Sequence, residues 1–205
     1  MEQVVFFEKI PIDPPREKIY QRLGFKKQTT ELSSGREKDT DFFINEASSI
    51  IRLQGMFLRL AIVNNNGEII LLSEGLKFHS EKLSFFLRDC REAVLMGTTA
   101  GHDIMNAIKE KTRRDDLEAA VIYDATASEM TDAAMDWIMG YVNQLLRREG
   151  KVLLPRRFSA GYGDFDLKNQ KIIFERLKMK NFGVNINPNF ILTPEKSVTA
   201  ISGIQ

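Results

Sequence analysis

Hydrophobic positions along the chain fall into short apolar runs and into longer segments where they recur every three or four residues. Short runs are typical of strands, and the longer spacing is typical of helices. The runs predict strands at 4–7, 56–63, 69–72, 92–96, 190–193 and 197–204. The spacing predicts helices at 16–23, 42–51, 81–89, 102–112, 115–149 (with a break near 123–127) and 167–180. Helices and strands do not alternate regularly, so we expect an α+β fold. It would have a mainly antiparallel, twisted sheet flanked by helices, in one domain spanning 1–205.

Turn and cap signals predict the connections between these elements. Asn66-Gly67 between two apolar runs predicts a tight hairpin, since both residues tolerate a positive φ. Residues 26–40 are polar and predict a loop, and 97–101 are small or polar and predict a turn. Helices are expected to start after side chains that accept hydrogen bonds from main-chain N–H groups: Thr40 or Asp41, Ser80 and Asp166.

Composition narrows the classes of function. The 29 Lys and Arg against 28 Asp and Glu give a net charge of +1, whereas proteins that hold nucleic-acid backbones need a basic excess. The single cysteine, Cys90, excludes an internal disulfide, and with only two histidines, His79 and His102, we expect no metal site. No apolar run approaches the roughly 18 residues of a membrane span. The first residues include acids and no small-residue cleavage site, so we expect no membrane contact and a cytoplasmic protein.

One segment, 157–164 (RFSAGYGD), has the composition of a ligand-binding loop. Its glycines allow the main chain to approach a ligand closely. The ring of Tyr162 offers a flat face to a planar group, and the guanidinium of Arg157 can grip a carboxylate with two parallel hydrogen bonds. A glycine-rich connection whose arginine faces water would have the same composition, so the residues alone leave both interpretations open. The chain has no phosphate-binding or nucleophile-elbow motif.

Four segments in order resemble the reactivation (S-adenosylmethionine-binding) domain of cobalamin-dependent methionine synthase. They are 87–90 followed by 98–101, 123–125 followed by the helix that carries Asp132, the R-x-x-x-G-Y motif at 157–162, and the P-x-x-S-V close at 194–199. The resemblance covers about 75–205 clearly and the N-terminal third in outline. It implies the same fold for this chain.

The resemblance also implies roles for site residues. Arg157 would bind the carboxylate of S-adenosylmethionine, and Tyr162 would contact its adenosine half. Asp132 stands where the family has a glutamate one methylene longer, and a carboxylate there favours the ammonium and sulfonium of the ligand. Main-chain contacts would come from the three small residues of the motif: Ser159, Ala160 and Gly161.

The implied function is that of an accessory module. The chain would bind S-adenosylmethionine and support reductive methylation of cob(II)alamin on a separate cobalamin-binding methionine synthase subunit. A flavodoxin-type donor would supply the electron. We expect no catalytic acid, base or nucleophile in the chain itself. Two alternatives stay open: service to a different corrinoid methyltransferase, or a scaffold that no longer binds S-adenosylmethionine.

Overall fold

A computed structural model of the chain describes residues 3–25 and 34–205, and its centre is a six-stranded antiparallel sheet. The strands are β1 (Val5–Phe7), β2 (Gln54–Asn65), β3 (Ile69–Leu72), β4 (Lys77–His79), β5 (Glu92–Thr99) and β8 (Ser197–Ile204). Their order is β4-β3-β2-β5-β8, and β1 pairs with the first residues of β2. A separate two-stranded ribbon joins β6 (Asn185–Ile186) and β7 (Leu192–Thr193). The predicted α+β class and antiparallel sheet are confirmed.

Helices cover both faces of the sheet, because successive side chains of a strand point to opposite sides. The helices are α1 (Arg16–Arg22), α2 (Ser34–Ile50), α3 (Glu81–Phe86), α4 (His102–Arg113), α5 (Leu117–Arg147) and α6 (Asn169–Arg176). The core between the sheet and α5 includes Val94, Met96, Ala200, Ala134 and Ile138. The core between the opposite face and helices α3 and α6 includes Leu95, Ile201, Leu83, Ile173 and Phe174. Strand β5 is therefore buried on both sides along nearly its whole length.

Several predicted connections hold. The Asn66-Gly67 hairpin joins β2 to β3, and Gly67 has a φ of +94°. Ser80 caps α3 by accepting a 3.0 Å hydrogen bond from the N–H of Leu83. None of the helices in the described ranges combines the length and apolar character needed to cross a membrane.

The predicted start of α2 is wrong. The helix begins at Ser34, so the proposed caps Thr40 and Asp41 lie inside it, and the Thr40 hydroxyl donates to the Arg36 carbonyl at 2.8 Å. Residues 35–39 form an exposed stretch of helix. A run of polar residues is as compatible with an exposed helix as with a loop. The rest of the predicted loop, 26–33, lies outside the described residues.

Three other boundaries also differ. Strand β5 continues through the predicted turn to Thr99, because residues 97–99 pair with β2 on one side and with β8 on the other. Helix α5 runs without a break past the buried Tyr123. Helix α6 is shorter than predicted, and Asp166 lies ahead of its first turn, where it accepts a hydrogen bond from the N–H of Lys168 at 2.8 Å.

Candidate functional site

The segment 157–162 and the start of β8 enclose a cavity of about 670 Å³ with one side of α5. We call it the Arg157 cavity. Five of the six site residues expected from the sequence line it: Asp132, Arg157, Ser159, Ala160 and Tyr162. The sixth, Gly161, lies between two lining residues but is not itself part of the wall. The volume falls in the range of about 300–1,000 Å³ that small-molecule sites occupy.

The edge of β8 that does not pair with β5 holds the segment 157–162 in place. Phe158 and Ile201 exchange two main-chain hydrogen bonds of 2.8 Å each, and the Ser202 hydroxyl donates to the Arg156 carbonyl at 2.9 Å. Phe158 therefore sits as a strand residue, with Arg157 on the side of α5. Thr199 lies two residues before Ile201 on the same edge, so its main-chain groups point into the cavity.

A tight turn follows and places Tyr162 at the rim. The N–H of Gly161 donates to the Phe165 carbonyl at 2.7 Å, and the N–H of Tyr162 donates to the Ser159 carbonyl at 3.2 Å. Gly161 has a φ of +90° and Gly163 a φ of +61°, a region that favours glycine. Tyr162 is left 69% exposed, with its ring available to a ligand.

Asp164 anchors this turn to α3. Its carboxylate accepts from the Ser80 hydroxyl at 2.6 Å and from the N–H of Glu81 at 2.7 Å. The hydrogen bond from Ser80, with those from the main chain, holds the pKa of Asp164 below its usual value. This anchor could not be predicted, since nothing local in the sequence relates Asp164 to the start of α3.

Arg157 is paired with two carboxylates of α5. Its Nη2 binds Asp132 and its Nη1 binds Asp136. The Lys18 ammonium of α1 lies 3.4 Å from the other oxygen of Asp136. Burial disfavours the charged guanidinium, but hydrogen bonds and charges from Asp136 and Asp132 outweigh burial and raise the pKa of Arg157. Arg157 is therefore paired with α5 rather than directed into bulk water, and the alternative interpretation of its loop had an arginine facing water.

The wall includes residues that sequence reasoning did not select: Phe158, Gln170, Ser197, Val198 and Thr199. The last three belong to the P-x-x-S-V segment, whose recognition was the available signal. Gln170 of α6 had no such signal. Its amide donates to the Phe190 carbonyl at 2.6 Å, and its carbonyl oxygen accepts from the Thr199 hydroxyl at 3.3 Å.

Other candidate side chains lie elsewhere. Cys90 is buried, and burial raises the pKa of its thiol. The His102 Nε2 lies 2.9 Å from the Gly183 carbonyl oxygen, and His79 is exposed on β4. Within residues 3–25 and 34–205, no three His, Cys, Asp or Glu side chains are grouped to hold a metal ion.

A larger cavity, about 820 Å³, lies at the opposite edge of the sheet, near β1. Its wall includes Phe6 and Phe182, whose rings stack with centroids 5.1 Å apart. None of the six expected site residues belongs to it. We therefore take the Arg157 cavity as the candidate site.

Comparison with known proteins places the fold. No family model and no curated protein matches this chain. Among solved structures, it is similar to the MetH reactivation domain bound to AdoHcy (S-adenosylhomocysteine). The TM-score is 0.70 at 13% sequence identity, and the match covers 99% of this chain and 78% of that one. The chain has the fold of that reactivation domain, and the resemblance inferred from the sequence motifs is thereby confirmed at the level of the fold.

Proposed function

We propose that this chain binds S-adenosylmethionine in the Arg157 cavity and serves in the reactivation of a cobalamin-dependent methionine synthase. The observation that carries the proposal is the grouping of Arg157, Asp132 and the exposed Tyr162 around one cavity. Its support from comparison is that a solved domain of the same fold is bound to AdoHcy, a close analogue of this ligand.

The chemistry of the wall matches the parts of such a ligand. The guanidinium of Arg157 would hold the ligand carboxylate through charge-assisted hydrogen bonds. The carboxylate of Asp132 would favour the ammonium and sulfonium, and its half-exposed position keeps that attraction modest. The adenosine would lie against the Tyr162 ring, with main-chain groups of Ala160 and Thr199 on the same wall.

In this role the chain acts by placement. The residues of the cavity would hold the ligand with its sulfonium methyl group exposed to a separate cobalamin-binding subunit, in a near-attack position. The cobalamin carried by that subunit would accept the methyl group, with one electron from a flavodoxin-type donor, and S-adenosylhomocysteine would leave. No side chain of this chain needs to act as an acid, base or nucleophile. We place this activity in the cytoplasm.

One observation favours a second candidate. Arg157 is already paired with both Asp132 and Asp136, so the ion pairs could serve as a permanent part of the fold. The chain would then dock to the synthase, or to a different corrinoid methyltransferase, without binding S-adenosylmethionine.

Titration calorimetry of the full chain with S-adenosylmethionine separates these candidates. We expect binding, and we expect Tyr162→Ala to weaken it by about tenfold, the loss of one base–aromatic contact. Phe6→Ala is the matched control, an exposed ring at the other cavity, and should leave the affinity unchanged. Silence at millimolar ligand, with and without a cobalamin-loaded synthase subunit, would overturn the binding proposal.

The reactivation step needs its own assay. An oxidised cobalamin-binding subunit is mixed with this chain, S-adenosylmethionine and reduced flavodoxin, and recovery of methionine synthesis is followed. We expect recovery only when all components are present. Ligand binding without recovery would overturn the reactivation role for this synthase.

A further inference from the structure

The guanidinium of Arg157 lies between two half-exposed carboxylates, only one of which lines the cavity. Asp132 and Asp136 are one helical turn apart on α5, so both point to the same side of the helix. Asp132 lines the Arg157 cavity, whereas Asp136 does not. A ligand in the cavity therefore meets the Asp132 side of the guanidinium, and Asp136 holds the side away from the cavity.

The Asp136 side of the guanidinium has further contacts. Nη1 of Arg157 contacts the Asp136 carboxylate, and the Met139 sulfur lies 3.7 Å from the same nitrogen. Lys18 of α1 lies 3.4 Å from the second oxygen of Asp136. Arg157 and Lys18 balance Asp132 and Asp136, so the four groups are neutral together. On the other side, Nη2 of Arg157 has Asp132 as its partner.

We propose, building on the proposed function, that Asp136 is a positioning residue that keeps Arg157 in place while the pair between Arg157 and Asp132 opens to admit an α-amino acid group. The ligand carboxylate takes the place of Asp132 on Nη2. The ligand ammonium takes the place of Arg157 on Asp132. One ion pair is exchanged for two, and the local net charge is unchanged. Adjacent opposite charges on a cavity wall are complementary to a zwitterion in this way.

This exchange depends on Asp136. If Asp132 were the sole partner of Arg157, opening the pair would leave a long and flexible side chain without a fixed position, and binding would have to restrict it again. With Nη1 held by Asp136 and the adjacent sulfur of Met139, Nη2 stays aimed at the cavity. Lys18 supplies the positive charge that leaves Asp136 balanced.

The test compares two neutral thioethers that differ in the amino acid group. S-adenosylhomocysteine carries it, and 5′-methylthioadenosine lacks it. For the full-length wild-type chain, calorimetry should show tighter binding of S-adenosylhomocysteine. In Asp136→Asn we expect that affinity to fall by about tenfold, while the affinity for methylthioadenosine stays within about twofold. Asp136→Glu keeps the charge and should restore most of the preference.

The control variant is Glu74→Gln, which removes a carboxylate bound to Arg176 at 2.8 Å, away from the cavity, and should change neither affinity. Methylthioadenosine binding also reports that each variant retains a formed cavity. Equal weakening of both ligands by Asp136→Asn, or no change in either, would overturn the positioning role. A wild-type chain that binds S-adenosylhomocysteine and methylthioadenosine equally would also overturn the positioning role, although binding of the adenosyl group would stand. Failure to bind either ligand would instead be the failure of the proposed function.

Discussion

At the scale of the residue, Arg157 concentrates the charge of the candidate site, and its removal has a defined expected effect. In Arg157→Ala the ligand carboxylate would lose its charge-assisted hydrogen bonds, and Asp132 and Asp136 would both lose their common partner. We expect S-adenosylmethionine to bind about 1.5–3 kcal/mol more weakly, measured by calorimetry.

Arg176→Ala provides the control for the Arg157 variant. Arg176 is a helical arginine paired with Glu74, with an Nη1–Oε2 distance of 2.8 Å, and it does not line the Arg157 cavity. Its removal should leave the affinity as it is. An Arg157→Ala chain that binds as tightly as the wild type would mean that the ligand carboxylate is held by another group.

Residue by residue, sequence reasoning found part of the candidate site. Arg157 and Tyr162 belong to one local motif, so the six residues of that motif were enough to predict that both lie at one cavity. The partner of Arg157 on Nη1 did not follow. Asp136 lies one helical turn from Asp132 on α5, but only the packing of the 157–162 segment on that helix brings it to the guanidinium. The functional roles of these residues remain predictions.

At the scale of the element, the short helix α3 depends on its N-terminal cap. Ser80 is buried, accepts from the N–H of Leu83 and donates to Asp164, so it joins the helix to the turn that presents Tyr162. We expect Ser80→Ala to lower the free energy of unfolding by about 0.5–2 kcal/mol, measured by urea denaturation.

Ser49→Ala is the matched change for the Ser80 prediction. The Ser49 hydroxyl lies in the last turns of α2 and donates to the Glu46 carbonyl at 2.7 Å on an exposed surface. Its removal should change stability by less than about 0.5 kcal/mol. Equal losses for the two variants would show that the cap of α3 carries no special weight.

Element boundaries were predicted well where the signal was local and poorly where it was not. The hairpin at Gly67 and the cap at Ser80 rest on a few adjacent residues and were correct. The end of β5 depends on pairing with β2 and β8, two strands that are distant from it in the sequence. The start of α2 lies among exposed polar residues, where no hydrophobic pattern marks the first turn of the helix.

At the scale of the whole molecule, one ion-pair cluster joins β2, β5 and the segment after α5. Arg59 of β2 binds Glu92 of β5 and also Glu149, with Nη1–Oε1 and Nη2–Oε2 distances of 2.6 and 2.7 Å. Lys151 lies 2.6 Å from Glu92 and 3.1 Å from Glu149.

The hydrogen bonds from Arg59, followed by those from Lys151, lower the pKa of Glu149 to about 2. The pKa of Glu92 is also lowered, with the hydrogen bond from Arg59 as the main cause.

Lowered carboxyl pKa values make the stability of the fold depend on pH in a defined direction. A carboxylate with a lowered pKa stabilises the folded state fully above its unfolded value and loses that contribution as the pH falls through the folded one. For Glu149 that window runs from the ordinary value of 4.5 down to about 2. We expect the wild type to be more stable than Glu149→Gln above the window, and the difference to shrink as the pH is lowered through it. Thermal unfolding at a series of pH values measures this, and a constant difference would contradict it.

The order of strands was beyond sequence reasoning. β2 and β3 are neighbours in the chain and were paired correctly, because a two-strand hairpin is a local structure. The pairing of β5 with β8 joins Thr99 to Ser197, whose side-chain hydroxyls form a 2.9 Å hydrogen bond across a separation of 98 residues. Periodicity specifies which segments are strands but not which distant strands pair.

The β5–β8 pairing has a kinetic consequence for the Arg157 cavity. One wall of the cavity belongs to β8, so the cavity exists only after a long segment of chain has closed into a loop, a step that slows folding. A ligand that needs this wall has little to bind in a half-formed chain. Such a ligand would leave the refolding rate nearly unchanged, and it would lengthen the lifetime of the native state by slowing unfolding.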